Sequence, residues 1–261
     1  MFETTRYEMG RRVRGTAILT VAIGLYAAFI VWYFTVLEGV DYDQMLESMP
    51  PAMMDAFGIE TLATIEGFLG SQIYSFVWLL GLGLYFAYAA GGLVANDAEH
   101  DRLDLLLSFP VSRSRLLLEK VASLFLPLIA LNVGVGATVY VLAAVIGEPI
   151  DVANLALAHA LSVPYLLVCA GIGLVLSVLV DRAAVAERAA IGVVFVLFLL
   201  ESVVGGADEL EWIQYLSPTY YYEPTPVLID GSYEPIDAAI LLTAFVGLVI
   251  VATVLFDRRD V

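Results

Sequence analysis

The sequence predicts an all-α membrane protein with six transmembrane helices. A helix needs about 20 apolar residues to cross a bilayer core, because every backbone hydrogen bond must be satisfied without water. The chain of 261 residues is 61% hydrophobic and has a mean hydropathy of +0.87, as expected for such a protein. Six apolar runs are long enough to cross: residues 16–37, 73–95, 116–146, 155–180, 185–204 and 238–256.

The distribution of charge predicts how these helices are oriented. The 12 basic residues form four clusters, and segments 38–66, 148–151 and 201–237 contain acidic residues but no Lys or Arg. Because Lys and Arg are retained in cytoplasmic loops, both termini are expected in the cytoplasm of a multi-pass protein of the plasma membrane. The clusters are Arg6, Arg11, Arg12 and Arg14; Arg102, Arg113, Arg115 and Lys120; Arg182 and Arg188; and Arg258 and Arg259.

The segment before the first run has two interpretations. Phe2, Met9 and Val13 would lie near one face of a helix, and most of the arginines would lie near its C-terminal end. This pattern favours an interfacial helix over residues 1–15. A disordered basic tail is the alternative. The first run is too long for the core of a cleavable signal, so residues 1–261 are interpreted as a single transmembrane domain.

The acidic surplus indicates a salt-adapted surface. The net charge is −16, with 28 Asp and Glu residues, and Lys120 is the only lysine. This composition resembles proteins of salt-loving microbes, in which acidic surfaces stay solvated. An outer surface that collects cations is the alternative. The acids are scattered rather than set at ligand spacing, so no metal site is predicted.

Missing motifs narrow the chemistry. A phosphate-binding G-x-x-x-x-G-K-[ST] loop needs a lysine after glycines, whereas Lys120 follows Leu118 and Glu119. The sequence also lacks H-E-x-x-H and G-x-S-x-G, and His100 and His159 are its only histidines. We therefore expect no catalytic residues, no bound cofactor and no ATP hydrolysis by this chain.

The segment between the second and third runs, residues 96–120, predicts two helices around a turn. Asn96 is expected to cap the first helix, whose N-terminus would attract Asp97, Glu99 and Asp101. Pro110 would end it. Its apolar face would comprise Leu103, Leu106 and Leu107. A second helix is expected from Ser112 or Ser114, with Arg115 and Glu119 paired at i, i+4 spacing.

This segment carries a family resemblance. L-L-L-S-F-P-V-S-R, residues 105–113, resembles the cytoplasmic loop of type 2 permeases of ATP-binding-cassette (ABC) transporters. Residues 42–58 and L-S-P-T-Y-Y, residues 216–221, are similar to the first and last outer loops of that family. The family usually shows E-x-E-x-G-T-L before the leucines, and this chain lacks the Gly-Thr pair.

The resemblance implies a function. A coupling helix over residues 97–108, within the cytoplasmic loop 96–115, would dock on a separate ATP-binding subunit that carries ATP and Mg. A second copy of the permease, or a paralogous permease, would complete an exporter in the lipid bilayer; no nucleic acid is expected. A self-contained secondary transporter and a non-transporting scaffold or sensor are the alternatives. The residues implied in coupling are Asp97, Glu99, Asp101, Leu103, Leu106, Leu107, Pro110 and Arg113.

Small, polar and aromatic residues in the spans and outer loops predict three further sets of contacts. Gly83, Ala87 and Gly91 form a small-residue stripe, suited either to packing within one subunit or to a dimer interface. His159 and Glu201 are predicted at similar depth below the outer surface, where they would pair or snorkel separately. The outer aromatic segment 205–237 is expected at headgroup depth, and the resemblance implies that it forms short re-entrant helices.

Overall fold

Six long helices dominate the molecule. The structure is a computed structural model that describes residues 3–37, 49–50, 54, 59–108, 111–204 and 208–259. Within these ranges, six helices are long and apolar enough to cross a membrane, which confirms the predicted fold class. They are spans 1 to 6: Glu3–Val36, Ile65–Glu99, Arg113–Val145, Val152–Leu179, Ala183–Val204 and Pro235–Asp257.

Span 1 extends further toward the N-terminus than its apolar run. Residues 3–15 form its first turns, in one unbroken helix that begins at Glu3. The segment is therefore helical rather than disordered, and it is continuous with the span. Its placement on the inner leaflet stays a prediction.

Spans 2 and 3 are irregular. Span 2 consists of an α-helix Ile65–Leu69, a π-helix Gly70–Leu82 and an α-helix Gly83–Glu99. Span 3 consists of Arg113–Ala122 and Phe125–Val145. The break in span 3 precedes Pro127, which has no N–H to donate to the carbonyl four residues earlier.

Spans 2 and 4 form the centre of the bundle. Span 4 packs on spans 2, 5 and 6, while span 1 packs on span 3. Trp78, Tyr74 and Phe86 from span 2, with Tyr165 from span 4, are completely buried. The other spans present much of their apolar surface outward, as expected where lipid replaces water.

The small-residue stripe lies at a contact inside the subunit. A Cβ on Gly173 of span 4 would lie 2.1 Å from the carbonyl oxygen of Ala87. A Cβ on Gly91 would lie 3.0 Å from Cα of Glu187 in span 5. Close approach of spans 2, 4 and 5 therefore requires these glycines, and the stripe packs within one chain.

Short helices connect the spans. Leu103–Leu107, called the short helix below, lies between spans 2 and 3. Between spans 5 and 6 lie the 3₁₀-helices Asp208–Leu216 and Pro218–Tyr221 and the α-helix Pro224–Asp230. Short helices in this outer segment were expected from the family resemblance; their entry into the membrane stays a prediction. We call the end of the bundle with the short helix the basic end, and the opposite end the acidic end.

The charge distribution predicts that the acidic end is extracellular. After Cys169, which is buried, is replaced by Ala, a cysteine at the exposed Tyr233 should react with an impermeant thiol reagent in intact cells. A cysteine at the exposed Ser108 should react only after the membrane is opened. Labelling of position 108 in intact cells would show that the orientation is the opposite of the predicted one.

Candidate coupling site and intramembrane polar network

A left-handed turn at Asp101 starts the loop at the basic end. The amide of Arg102 donates to the carbonyl of Asp97 at 2.8 Å, and that of Asp101 donates to Ala98 at 3.2 Å. With Asp101 at φ 52°, these two bonds form the Schellman motif that ends helices. The prediction that Asn96 caps a new helix is therefore wrong, because Asn96 lies in the last turn of span 2. Acidic residues near this end had suggested a helix start.

A buried ion cluster joins three spans and the approach to the short helix. Lys120 of span 3 is 2% exposed, and its Nζ lies 2.5 Å from Asp97 of span 2 and 3.4 Å from Glu8 of span 1. Arg102, directly before the short helix, lies 3.1 Å from Asp97. Breaking a buried pair by removing one partner costs about 3–5 kcal/mol, because the remaining charge is uncompensated. This cluster therefore fixes the relative positions of these elements.

Other charged residues hold the ends of helices at the same level. Glu99 accepts a hydrogen bond from the amide of Ala183 at 2.9 Å, so it caps the start of span 5. Arg113 donates to the carbonyl of Phe256 at 3.1 Å, at the end of span 6. A cation at a helix C-terminus is favoured by the helix dipole. Glu99 and Arg113 thus tie the loop to spans 5 and 6.

The start of span 3 agrees with the sequence prediction. The Ser112 side chain accepts from the amide of Arg115 at 3.3 Å, so Ser112 is the N-cap. Nε of Arg115 lies 2.9 Å from a carboxylate oxygen of Glu119, as expected for i, i+4 spacing.

The leucines of the short helix differ in how deeply they are buried. Leu103 is 3% exposed and belongs to the hydrophobic core of this chain, and Leu106 packs against that core. Leu105, on the opposite face, is 63% exposed. Leu103 and Leu106 of the predicted apolar face thus hold the helix onto its own subunit. The side chain of Leu107, and Pro110 entirely, lie outside the described residues.

A polar network crosses the interior between spans 2, 3 and 4. His159 lies with Nε2 3.0 Å from the Tyr74 hydroxyl and Nδ1 3.2 Å from Oδ1 of Asn132. Ser162 also donates to Oδ1 of Asn132, at 2.9 Å. The Trp78 ring meets the imidazole edge-on, with centroids 4.9 Å apart. The network lies beside the π-helix of span 2, a distortion often found at functional sites.

The hydrogen bonds fix the imidazole tautomer. Nδ2 of Asn132 donates to the carbonyl of Leu128 at 2.8 Å, so Oδ1 is the acceptor that faces His159. Nδ1 of His159 therefore carries the proton, and Nε2 accepts from Tyr74. A neutral imidazole satisfies this arrangement, as expected for a buried group in a membrane.

The predicted contact between His159 and Glu201 involves a side chain outside the described residues. The described partners of the two ring nitrogens of His159 are Tyr74 and Asn132. Sequence reasoning placed His159 in the span but missed these partners, which are 85 and 27 residues away along the chain. Pairing with Glu201 stays a prediction.

The acidic end contains a cavity of about 420 Å³. Its lining includes four tyrosines and three acids, which are Tyr220, Tyr221, Tyr222, Tyr233, Glu223, Glu234 and Asp237. Outside the spans, burial and then the charges of Glu223 and Asp230 raise the pKa of the Glu60 carboxyl at this end. Burial, and after it the neighbouring negative charges, therefore make protonation of Glu60 easier than that of a free glutamate.

A family model described as ABC-2 family transporter protein matches residues 41–261. The chain belongs to this family. It is therefore a membrane transport component of the ABC permease type, a multi-pass membrane protein whose relatives generally work with an ATP-binding subunit. A search of curated proteins finds no match.

Gly136 tests the importance of the polar network in this ABC-2 family member. A Cβ on Gly136 would lie 2.9 Å from Nε2 of His159, a ring held by Tyr74 and Asn132. Gly136→Ala should therefore destabilise the protein by about 1–3 kcal/mol, the usual cost of overpacking. The thermal unfolding midpoint in detergent measures this effect.

Gly192→Ala is the matched control. A Cβ at Gly192, within span 5, would meet nothing within 4 Å. This change should leave the midpoint unchanged or raise it slightly, because Ala favours helix over Gly. Equal midpoints for the two variants would show that the imidazole is free to move.

Proposed function

We propose that this chain is the membrane-spanning subunit of an exporter driven by a separate ATP-binding subunit. The family membership supports the permease role, and the absence of a phosphate-binding loop from the sequence agrees with ATP and Mg binding on a partner. The observation that carries the coupling proposal is the short helix, which is fastened to the spans and has an exposed leucine. The basic end would face the cytoplasm, where that partner would bind.

The short helix is built to transmit force. Leu103 anchors it in the core, and Arg102 joins it to Asp97 of span 2, which pairs with Lys120 of span 3. A displacement of the helix would therefore move spans 2 and 3 rather than bend a loose loop. In our proposal, ATP binding by the partner supplies that displacement, and the bundle changes between inward-facing and outward-facing states.

Six of the residues implied in coupling take a defined part in this proposal, while the roles of Leu107 and Pro110 in coupling stay predictions. Asp97, Glu99, Asp101 and Arg113 position the loop by ion pairs, caps and the left-handed turn, rather than by contact with the ATPase. Leu103 and Leu106 attach the short helix to its own subunit. Leu105 is the side chain we assign to the partner.

We also propose that two permeases assemble. Spans 1, 5 and 6 carry exposed large apolar residues, including Phe29, Trp32 and Phe195. A second copy or a paralogous permease would cover part of this surface, with lipid on the remainder. The substrate would pass between the two subunits, and the short helices at the acidic end would close the outer side.

Leu105→Asp tests the coupling proposal directly. The change puts a charge on an exposed residue without altering a span or the core, so insertion and folding should persist. At a desolvated interface it should cost several kcal/mol of association, because a buried unpaired charge is not compensated. Co-purification of the ATP-binding subunit and stimulation of its ATPase by the permease should both disappear.

Ser112→Asp is the matched charge control in the same loop. Asp serves as well as Ser at an N-cap, so the start of span 3 should remain intact. This variant should still co-purify with the ATP-binding subunit. If Leu105→Asp also retains the ATPase and its stimulation, the short helix is not the coupling element.

A further inference from the structure

We propose that a cavity between spans 1 and 2 at the basic end binds the phosphate group of an anionic phospholipid. The cavity has a volume of about 190 Å³. Arg11 and Arg12 enter it from span 1, Gly92 and Asn96 from span 2, and Lys120 from span 3. Its other lining residues are Glu8, Leu93 and Asp97.

Arg12 is the lining residue whose guanidinium is best placed to bind an anion. Nε of Arg12 is buried, and within the described part of the chain it has no hydrogen-bond partner. Nη2 makes one long contact, 3.4 Å from the carbonyl oxygen of Ala89. Among the described residues, no carboxylate lies within ion-pair distance of this guanidinium. The nearby acid that acts on it electrostatically is Glu8, which is already paired with Arg11 and Lys120. Arg12 is partly buried, and a cation in this condition is stabilised when an anion pairs with it.

The acids of the cavity are already neutralised. Glu8 lies 3.9 Å from Arg11 and 3.4 Å from Lys120. Asp97 lies 2.5 Å from Lys120 and 3.1 Å from Arg102. These two acids therefore share three cations, and the charge of Arg12 is additional. The cluster has an excess of positive charge that suits a phosphate, for which the guanidinium fork is a preferred partner.

The position of the cavity favours a lipid over a free phosphate. It opens where two spans end, at the level at which basic pockets between transmembrane helices bind headgroups. Beyond it, span 1 exposes Ile18 and Leu25, each more than half accessible. They follow Arg11 at seven-residue spacing and therefore lie near the same side of the helix. Acyl chains can lie along this apolar face while the headgroup phosphate occupies the cavity.

Lipid binding to the purified full chain tests this site. Native mass spectrometry would compare retention of phosphatidylglycerol and phosphatidylcholine. We expect the chain to retain phosphatidylglycerol preferentially, and Arg12→Gln to weaken this binding by about tenfold or more, the effect of losing charge-assisted hydrogen bonds. Arg12→Lys keeps the charge and should retain part of the preference.

Arg14→Gln is the matched control, because Arg14 is an exposed arginine of the same helix that does not line the cavity. It should change binding by about twofold at most, as for an exposed charge. Arg11→Gln, which alters an exposed lining residue, replaces Arg12→Gln if that variant does not fold. Binding that survives the cavity variant, or that falls equally with Arg14→Gln, overturns the site. Displacement of the lipid by millimolar inorganic phosphate overturns the lipid assignment.

Discussion

The buried ammonium of Lys120 is the constraint on which the basic end depends. It is the single lysine of the sequence and is 2% exposed, so it requires acids on both sides. Asp97 supplies one from span 2, and Glu8 supplies the other from span 1. Because none of these charges tolerates isolation in a low-dielectric environment, spans 1, 2 and 3 meet in one arrangement. Arg102 extends the same cluster to the short helix, so the ion pairs that position the spans also position the loop.

Deeper in the bundle, hydrogen bonds between neutral side chains, rather than ion pairs, connect the spans. Tyr74 of span 2, Asn132 of span 3, and His159 and Ser162 of span 4 form hydrogen bonds that connect these three spans. Hydrogen bonds between membrane helices contribute only about 0.6–2 kcal/mol each. The network therefore contributes more to how specifically the spans fit together than to the stability of the bundle. The glycines at Gly91 and Gly173 allow the same spans to approach closely.

The sequence predicted the features that depend on local pattern. Six spans, the Ser112 cap and the Arg115–Glu119 pair follow from hydropathy and helical spacing, and the structure confirms them. Long-range partners were not accessible, since nothing local links Lys120 to Glu8 or His159 to Tyr74. The acids Asp97 and Glu99 suggested a helix start, but tertiary partners, Lys120 and the amide of Ala183, explain their presence at a helix end. The leucine pattern identified one apolar face without showing that the chain itself covers it, which left Leu105 unnoticed.

Transmission from the short helix to the acidic end is the central claim, and a label at Tyr233 measures it without knowledge of the substrate. In the complex with the ATP-binding subunit, addition of ATP should change the spin-label or fluorophore signal at this position. The double variant Asp97→Asn with Lys120→Gln removes the central ion pair without changing the net charge. Glu8 keeps Arg11 as its partner, and Arg102, which loses Asp97, is partly exposed to solvent. The account predicts that this variant folds, binds the ATPase and permits ATP hydrolysis, yet loses the signal change at Tyr233. An undiminished signal change in the folded variant would contradict it.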